Sequence, residues 1–411
     1  MIDPDLVETL RRDGPAVWLR PADAARPVRA PIDGAAVADA AARLRRFRPA
    51  LAALFPDRGW DGRVASALEP HRLDGLPPLL VKRDDALPMT GSVKARGGVY
   101  ELLTVVERAA LTAGVLREED DYRRLLEPAA RAALAGTRVV VASTGNLGFS
   151  IGLVARAFGV PVQVHMSHDA KAWKKDRLRR LGAEVVEHPC DFHGAVEHAR
   201  AAAAATGAHF IDDERSETLF TGYAIAAGEL ADQLAAMDVH PTPERPLVLY
   251  LPCGVGGAPG GVTAGAKAHW GEEAVVAVFV EPTASPCVLA ALANGGEAVS
   301  VYDLGLSNDT VADGLAVPLA SELVLARVGR SIDAAVAVSD AEMLHWVGRC
   351  WREAGLRLEP SAASGFAAVR PFLGAWRGQP LDGAHHLVWT TGGSMLPDDE
   401  FERYLKNSAS M

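Results

Sequence analysis

Cysteine is scarce and scattered: Cys190, Cys253, Cys287 and Cys350 are the four in 411 residues, and no two form a Cys-x-x-Cys pair. That excludes a disulfide framework and a structural zinc site, and leads us to expect a reduced, cytoplasmic protein without bound metal of that kind. Long apolar runs are also missing. Nothing approaches the roughly 20 uncharged residues needed to span a bilayer, so no membrane partner is expected. Met1 to Arg12 mixes acidic and basic residues without an apolar stretch and does not read as a signal peptide. Positive charge is in deficit, with 42 Lys and Arg against 52 Asp and Glu and a net charge of −10. A nucleic-acid partner is therefore excluded on electrostatic grounds. The one basic run, Lys171, Lys174, Lys175, Arg177, Arg179 and Arg180, reads as the solvated face of a helix. Both common nucleotide motifs are absent as well. No lysine follows the glycine-rich stretch at 254–261, and the sixth position counted from Gly254, where a dinucleotide fingerprint needs glycine or alanine, is Pro259.

What is present is an α/β pattern. Hydrophobic residues make up 49% and charged residues 23%, ordinary for a globular chain of two domains. Residues 1–75 read as helical, and 107–136 as a polar helical insertion at the periphery. From residue 137, short apolar strands alternate with helices: 138–142, 160–166, 184–186, 209–211, 247–251, 275–280 and 387–389, with an earlier strand at 79–81. Such alternation predicts open, twisted, mainly parallel sheets covered by helices on both faces. The expected division is a large domain, 1–135 with 216–411, and a small α/β domain, 136–215.

Each polar, glycine-rich stretch falls at the carboxyl end of a predicted strand, the edge where open α/β sheets bind ligands. Lys94 stands in Thr90-Gly91-Ser92-Val93-Lys94-Ala95-Arg96-Gly97-Gly98, between a strand and a helix. A lysine with small neighbours suits imine chemistry with an aldehyde or ketone; the plainer reading is a surface turn. Gly254-Val255-Gly256-Gly257 opens a helix, so its backbone N–H groups can converge on a phosphate, or it is a structural turn. Ser143-Thr144-Gly145-Asn146 offers hydroxyl, amide and backbone donors for a carboxylate or a phenolic oxygen, or simply caps the helix it begins. Thr391, at the end of the last strand, can bond a heterocycle nitrogen, or belongs to an ordinary Thr-Gly-Gly turn. Taken jointly, a phosphate loop and an isolated lysine point to pyridoxal 5′-phosphate.

In this order the four loops resemble those of the tryptophan-synthase-β-type pyridoxal phosphate enzymes. The narrower resemblance is to the D-serine dehydratases (D-serine ammonia-lyases). It rests on His165-Met166-Ser167, the run Asp169 to Asp176, Phe210 to Glu214, Leu251 to Gly257, Glu281-Pro282-Thr283, Ala312 to Val317 and Arg357 to Ser361, and covers the chain from about residue 30. Thr90, Ala258 and Ser394 depart from the family pattern, which has Ser, Gly and Gly there. The resemblance implies that Lys94 carries the cofactor and acts as general base. It assigns Asn146 to the cofactor's 3′ oxygen, Gly254, Val255, Gly256 and Gly257 to its phosphate, and Thr391 to its pyridine nitrogen. Ser143, Thr144 and Gly145 would hold the substrate carboxylate, and the cofactor would lie in a cleft between the two domains. The acid for the leaving hydroxyl is left open between the cofactor phosphate and Asp213. Glu281 is the candidate for a monovalent cation such as K+, a buried paired glutamate being the other reading. The implied activity is α,β-elimination of D-serine to pyruvate and ammonia by a monomer, with a homodimer as the alternative. Related lyases, dehydratases or racemases acting on D-threonine, L-serine or diaminopropionate stay open at this point, as do a non-catalytic cofactor-binding protein and a nucleotide-binding protein.

Overall fold

The computed structural model describes residues 2–24, 27, 31–56, 59–143, 145–168 and 170–409. Thr144 and Asp169, both singled out in the sequence, lie outside the described residues. The chain divides into two compact units, one of residues 1–34, 66–86 and 223–411, the other of 35–65 and 87–222.

The first unit is built on seven strands and the second on four. In chain order the strands are β1 (Ala16–Leu19), β2 (Leu68–His71), β3 (Leu79–Arg83), β4 (Val139–Ala142), β5 (Val162–Ser167), β6 (Glu184–His188), β7 (His209–Ile211), β8 (Leu247–Pro252), β9 (Val275–Pro282), β10 (Ala334–Val338) and β11 (His385–Thr390). The larger sheet runs β1-β10-β9-β8-β11-β3-β2 and the smaller β6-β5-β4-β7. Every pairing is parallel except β1 with β10 and β2 with β3, which close the two edges of the large sheet. Central strands β8 and β9 are buried at every position, as a sheet covered on both faces requires.

Three strands escaped the sequence pattern. β1 and β2 are four-residue antiparallel edge strands inside the stretch read as helical, and β2 carries Pro70, tolerated there because an edge strand leaves one row of donors unused. β10 reads Ala-Ala-Val-Ala-Val, too alanine-rich to signal a strand, yet all five residues are buried.

The sequence-derived 136–215 segment lies inside the second unit, which also takes 35–65 and 87–135. Packing explains this. A Cβ on Gly98 would come within 2.5 Å of Leu147, so the helix Lys94–Thr112 presses directly on the helix Asn146–Phe158. The stretch 107–136 is not peripheral either. Glu107 is buried, paired with Arg43 and with Arg46 at 2.8 Å, and accepts from the Tyr122 hydroxyl. Among the described residues, no helix is long and apolar enough to cross a membrane.

Candidate functional site

Lys94 is the first residue of its helix, and the chain reaches it through two left-handed residues, Met89 at φ 71° and Gly91 at φ 58°. The turn leaves the side chain partly open, 21% exposed, and its Nζ donates to Asp213 Oδ2 at 2.6 Å. The other carboxylate oxygen, Asp213 Oδ1, is buried without a hydrogen-bond partner among the described residues, and so is the Thr90 hydroxyl. Unmet buried polar atoms are costly, and these two belong to the turn that carries Lys94 and to the carboxylate that Lys94 meets.

In the same unit, Ser143 directly follows β4 and caps the next helix: its Oγ accepts from the N–H of Gly145 at 3.0 Å and of Gly148 at 2.8 Å. The capping reading of that serine therefore holds, and only its O–H remains to serve a ligand. Asn146 is the first residue of the helix and half-buried. The basic run shows the clearest departure from expectation. Lys174 and Lys175 are each only 6% exposed, so this part of the run faces inward. Lys175 donates to Glu187 at 2.7 Å and to the His168 carbonyl at 2.8 Å. Lys174 lies against the Gly145 backbone, where a Cβ would meet its Nζ at 2.8 Å. Charge spacing predicted a helix there correctly but could not say which of its faces packs.

The first unit holds the remaining loops. β8, β11, β9 and β3 are parallel, so Gly254, Thr391 and Glu281 all belong to the carboxyl edge of one sheet. Gly256 sits at φ 104°, where a Cβ would strike Val324 at 2.9 Å, and a Cβ on Gly254 would approach the Gly314 carbonyl at 3.1 Å. These glycines let the backbone turn tightly into the helix Gly257–Trp270. Thr391 is half-buried and follows Thr390, whose hydroxyl lies 2.8 Å from the Lys82 carbonyl and 2.5 Å from Asp85 Oδ1. Trp389 Nε1 donates to Asp84 at 2.8 Å, so a buried polar network that the sequence did not suggest fixes the end of β11 to β3. Ser361 also went unassigned. It is buried with no partner for its hydroxyl among the described residues, near Gly314.

Glu281 is completely buried, and its two oxygens accept from the N–H groups of Val288 and Leu289, both at 2.8 Å, at the start of the helix Cys287–Ala293. Burial pushes its carboxyl up to about 8, against the pull of those two hydrogen bonds. Among the described residues, no group of three or more His, Cys, Asp or Glu side chains is placed to hold a metal ion.

The pyridoxal-phosphate dependent enzyme family matches residues 65–379. A Pseudomonas paraeruginosa protein named "Probable D-serine dehydratase" is 43% identical, over 96% of this chain and 95% of its own. One of the same name from Burkholderia thailandensis is 45% identical, over 98% and 94%. Among solved structures, Escherichia coli diaminopropionate ammonia lyase in complex with D-serine has a TM-score of 0.73 at 17% identity, over 96% of this chain and 97% of that one. Maize serine racemase has 0.64 at 18% identity, over 92% and 98%. The two structures speak for the fold alone; the family match and the near full-length relatives carry more, and by them the chain belongs to the pyridoxal-phosphate dependent enzymes.

Proposed function

We propose that the chain converts D-serine to pyruvate and ammonia by α,β-elimination, with pyridoxal 5′-phosphate as cofactor. The observation that carries the reading is the Lys94 amine, partly open at a strained turn and 2.6 Å from a carboxylate whose second oxygen is unmet. The residues present suit the cofactor. Lys94 offers a primary amine for its aldehyde, and Asn146 an amide for its ring oxygen. Gly254, Val255, Gly256 and Gly257 offer backbone N–H groups at a helix start for its phosphate. Thr391 offers a neutral hydroxyl for its ring nitrogen. When bound, the cofactor supplies an electron sink for the pair left behind as the substrate Cα–H bond breaks.

The chain's own residues then do the following. Lys94 Nζ takes the Cα proton as general base, which requires the amine to be neutral at that moment. Asp213, already at hydrogen-bond distance, holds the resulting ammonium in place. Ser143 and Gly145, with Thr144, orient the substrate carboxylate at the start of the helix Asn146–Phe158, where the helix dipole favours an anion. The Cβ–O bond breaks and the hydroxide leaves as water after gaining a proton. The released enamine takes that water back on hydrolysis, giving pyruvate and ammonia. A monovalent cation such as K+ belongs to the same proposal, with Glu281 as its carboxylate. A bound cation would hold ionised a carboxyl that burial raises to about 8.

Support for D-serine in particular comes from the names borne by the near full-length relatives. The test is pyruvate release from D-serine, L-serine, D-threonine and diaminopropionate, assayed side by side on the cofactor-loaded enzyme. D-serine is expected to give the highest kcat/KM. Pyruvate from L-serine with none from D-serine would overturn the assignment.

A further inference from the structure

We propose that Glu101 is a positioning residue: from the helix that carries Lys94 it holds both ends of the segment that carries Asp213, and so sets how that carboxylate meets the amine. The inference rests on the reading above that Asp213 holds the proton taken up by Lys94.

Lys94 and Glu101 lie on the helix Lys94–Thr112, separated by close to two turns of about 3.6 residues each, so both point to the same side. One short stretch of chain meets them there. β7 ends at Ile211, Asp213 follows, and Ser216 stands just before the helix Glu217–Ala224. Glu101 is 4% exposed, and its two oxygens are divided between the ends of this stretch. One lies 2.9 Å from His209 Nε2, and the other accepts from the Ser216 hydroxyl at 2.5 Å. A carboxylate accepts through both oxygens, so a single side chain ties two places at once. Ser216 is no nucleophile in this arrangement. Its hydroxyl donates to Glu101, and its oxygen accepts from the Leu219 N–H at 3.0 Å, capping the next helix.

The stretch has little else to fix it. β7 is three residues long and stands at the edge of the small sheet, paired with β4 alone. Asp212, Asp213 and Glu214 are half-buried and Arg215 is exposed, so no apolar side chain anchors the turn. Arg200, on the helix Phe192–Thr206, donates to Asp212 Oδ2 at 2.9 Å and steadies the turn from its other side. Beyond Ser216 packing takes over. A Cβ on Gly222 would come within 2.9 Å of the Arg96 carbonyl, so the helix Glu217–Ala224 lies against the first turn of the Lys94 helix. Asp213 itself meets Lys94 through Oδ2, and its Oδ1 has no partner among the described residues. Its aim is therefore set by the two ends of its own stretch, and Glu101 fastens both to the helix that bears the amine.

The test compares the wild type with Glu101→Leu, which removes both ties. Crystal structures without substrate should show the Asp213 carboxylate moved from Lys94 by about 1 Å or more, with the Lys94 helix in place. On the cofactor-loaded enzyme kcat for pyruvate release should fall by about 10–100-fold, the scale on which a displacement of about 1 Å acts. In an Asp213→Asn background the same change should cost less than about threefold, because residues that act through one another are not additive. Glu101→Gln should keep most of kcat, since its oxygen can accept from Ser216 while its amide donates to the His209 ring in the other tautomer. Should Glu101→Leu not fold, Ser216→Ala and His209→Phe each release one end, and each should lower kcat only when Asp213 is present. An Asp213 left in place in Glu101→Leu, equal losses with and without Asp213→Asn, or a loss in Glu101→Gln as large as in Glu101→Leu would each overturn the proposal. The two readings fail separately. A wild type that makes no pyruvate from D-serine, while Asp213 moves in Glu101→Leu, defeats the elimination alone. One that makes pyruvate while Glu101→Leu keeps its kcat defeats the role of Glu101 alone.

Discussion

Lys82 in β3 is wholly buried, and its ammonium is shared among the Glu229 carboxylate, the Gln233 side-chain oxygen at 2.9 Å and the Ser66 carbonyl at 2.7 Å. Glu229 in turn accepts from the Ser66 N–H at 2.9 Å. Lys94, at the start of its helix, is partly exposed and meets one carboxylate, whose second oxygen has no partner. Lys82 lies within an apolar strand and Lys94 beyond its end, and both pair with an acid. What separates them is completeness. A buried charge with every valence met is part of the scaffold, because removing one member strands the others. A charge met on one side only, beside unmet buried atoms, leaves room for another molecule to finish the network.

The largest effect expected from this contrast is at the incomplete site. Lys94→Ala should lower kcat for pyruvate release by about 10⁴-fold or more, since base and cofactor anchor go together. It should also abolish the visible absorption of the bound cofactor; a variant that kept its absorption and half its activity would erase the distinction. Lys82→Met should act the other way round. It leaves the Glu229 carboxylate buried without its cation, which costs about 3–5 kcal/mol of stability. The check is the denaturant midpoint, with the cofactor's absorption retained below the transition. Next in size is Asp213→Asn, which keeps the shape and removes the charge. A fall in kcat of about 10–100-fold, with near-normal cofactor binding, is expected if the carboxylate serves the proton on Lys94.

A further expectation concerns pH. The Glu281 carboxyl is raised from 4.5 in the unfolded chain to about 8 in the folded protein. Over that window the folded state therefore holds the proton that the unfolded state has lost, and stability falls as pH rises. Its contribution is fully present below 4.5 and gone above about 8. Glu281→Gln should flatten that slope, seen as denaturant midpoints that vary less between pH 5 and 8; an unchanged slope would assign it to other groups. Repeating the comparison with K+ present would show whether a cation holds Glu281 ionised, since the wild-type slope would then flatten too.

Much of this was legible in the chain itself. Strands β3 to β9 and β11 announce themselves as short apolar runs, and each polar loop comes after one, which places Lys94, Asn146, Gly254 and Thr391 between a strand and the next element without any structure. Legibility stopped where local signals are weak or two-sided. β10 is built mostly from alanine, and β1 and β2 are short edges completed by their neighbours. The run Lys171 to Arg180 has the charge of a surface helix, and nothing in its spacing says that Lys174 and Lys175 point inward. The stretch 107–136 looked peripheral because Arg43 and Arg46, which pair with its buried Glu107, come from a distant segment.

By itself, then, the sequence determined the α/β class, the position of each loop at a strand's end and the lysine suited to an aldehyde, because these follow from hydrophobic periodicity and from residue chemistry along a continuous stretch. Only the tertiary structure decided which charged groups are taken out of water and what each of them faces there. Asp213 reaches Lys94, Glu187 reaches Lys175, and Lys174 is pressed against Gly145. Those choices depend on which surfaces are buried together, and burial turns the same ammonium from a solvated ornament into a group whose surroundings must balance its charge.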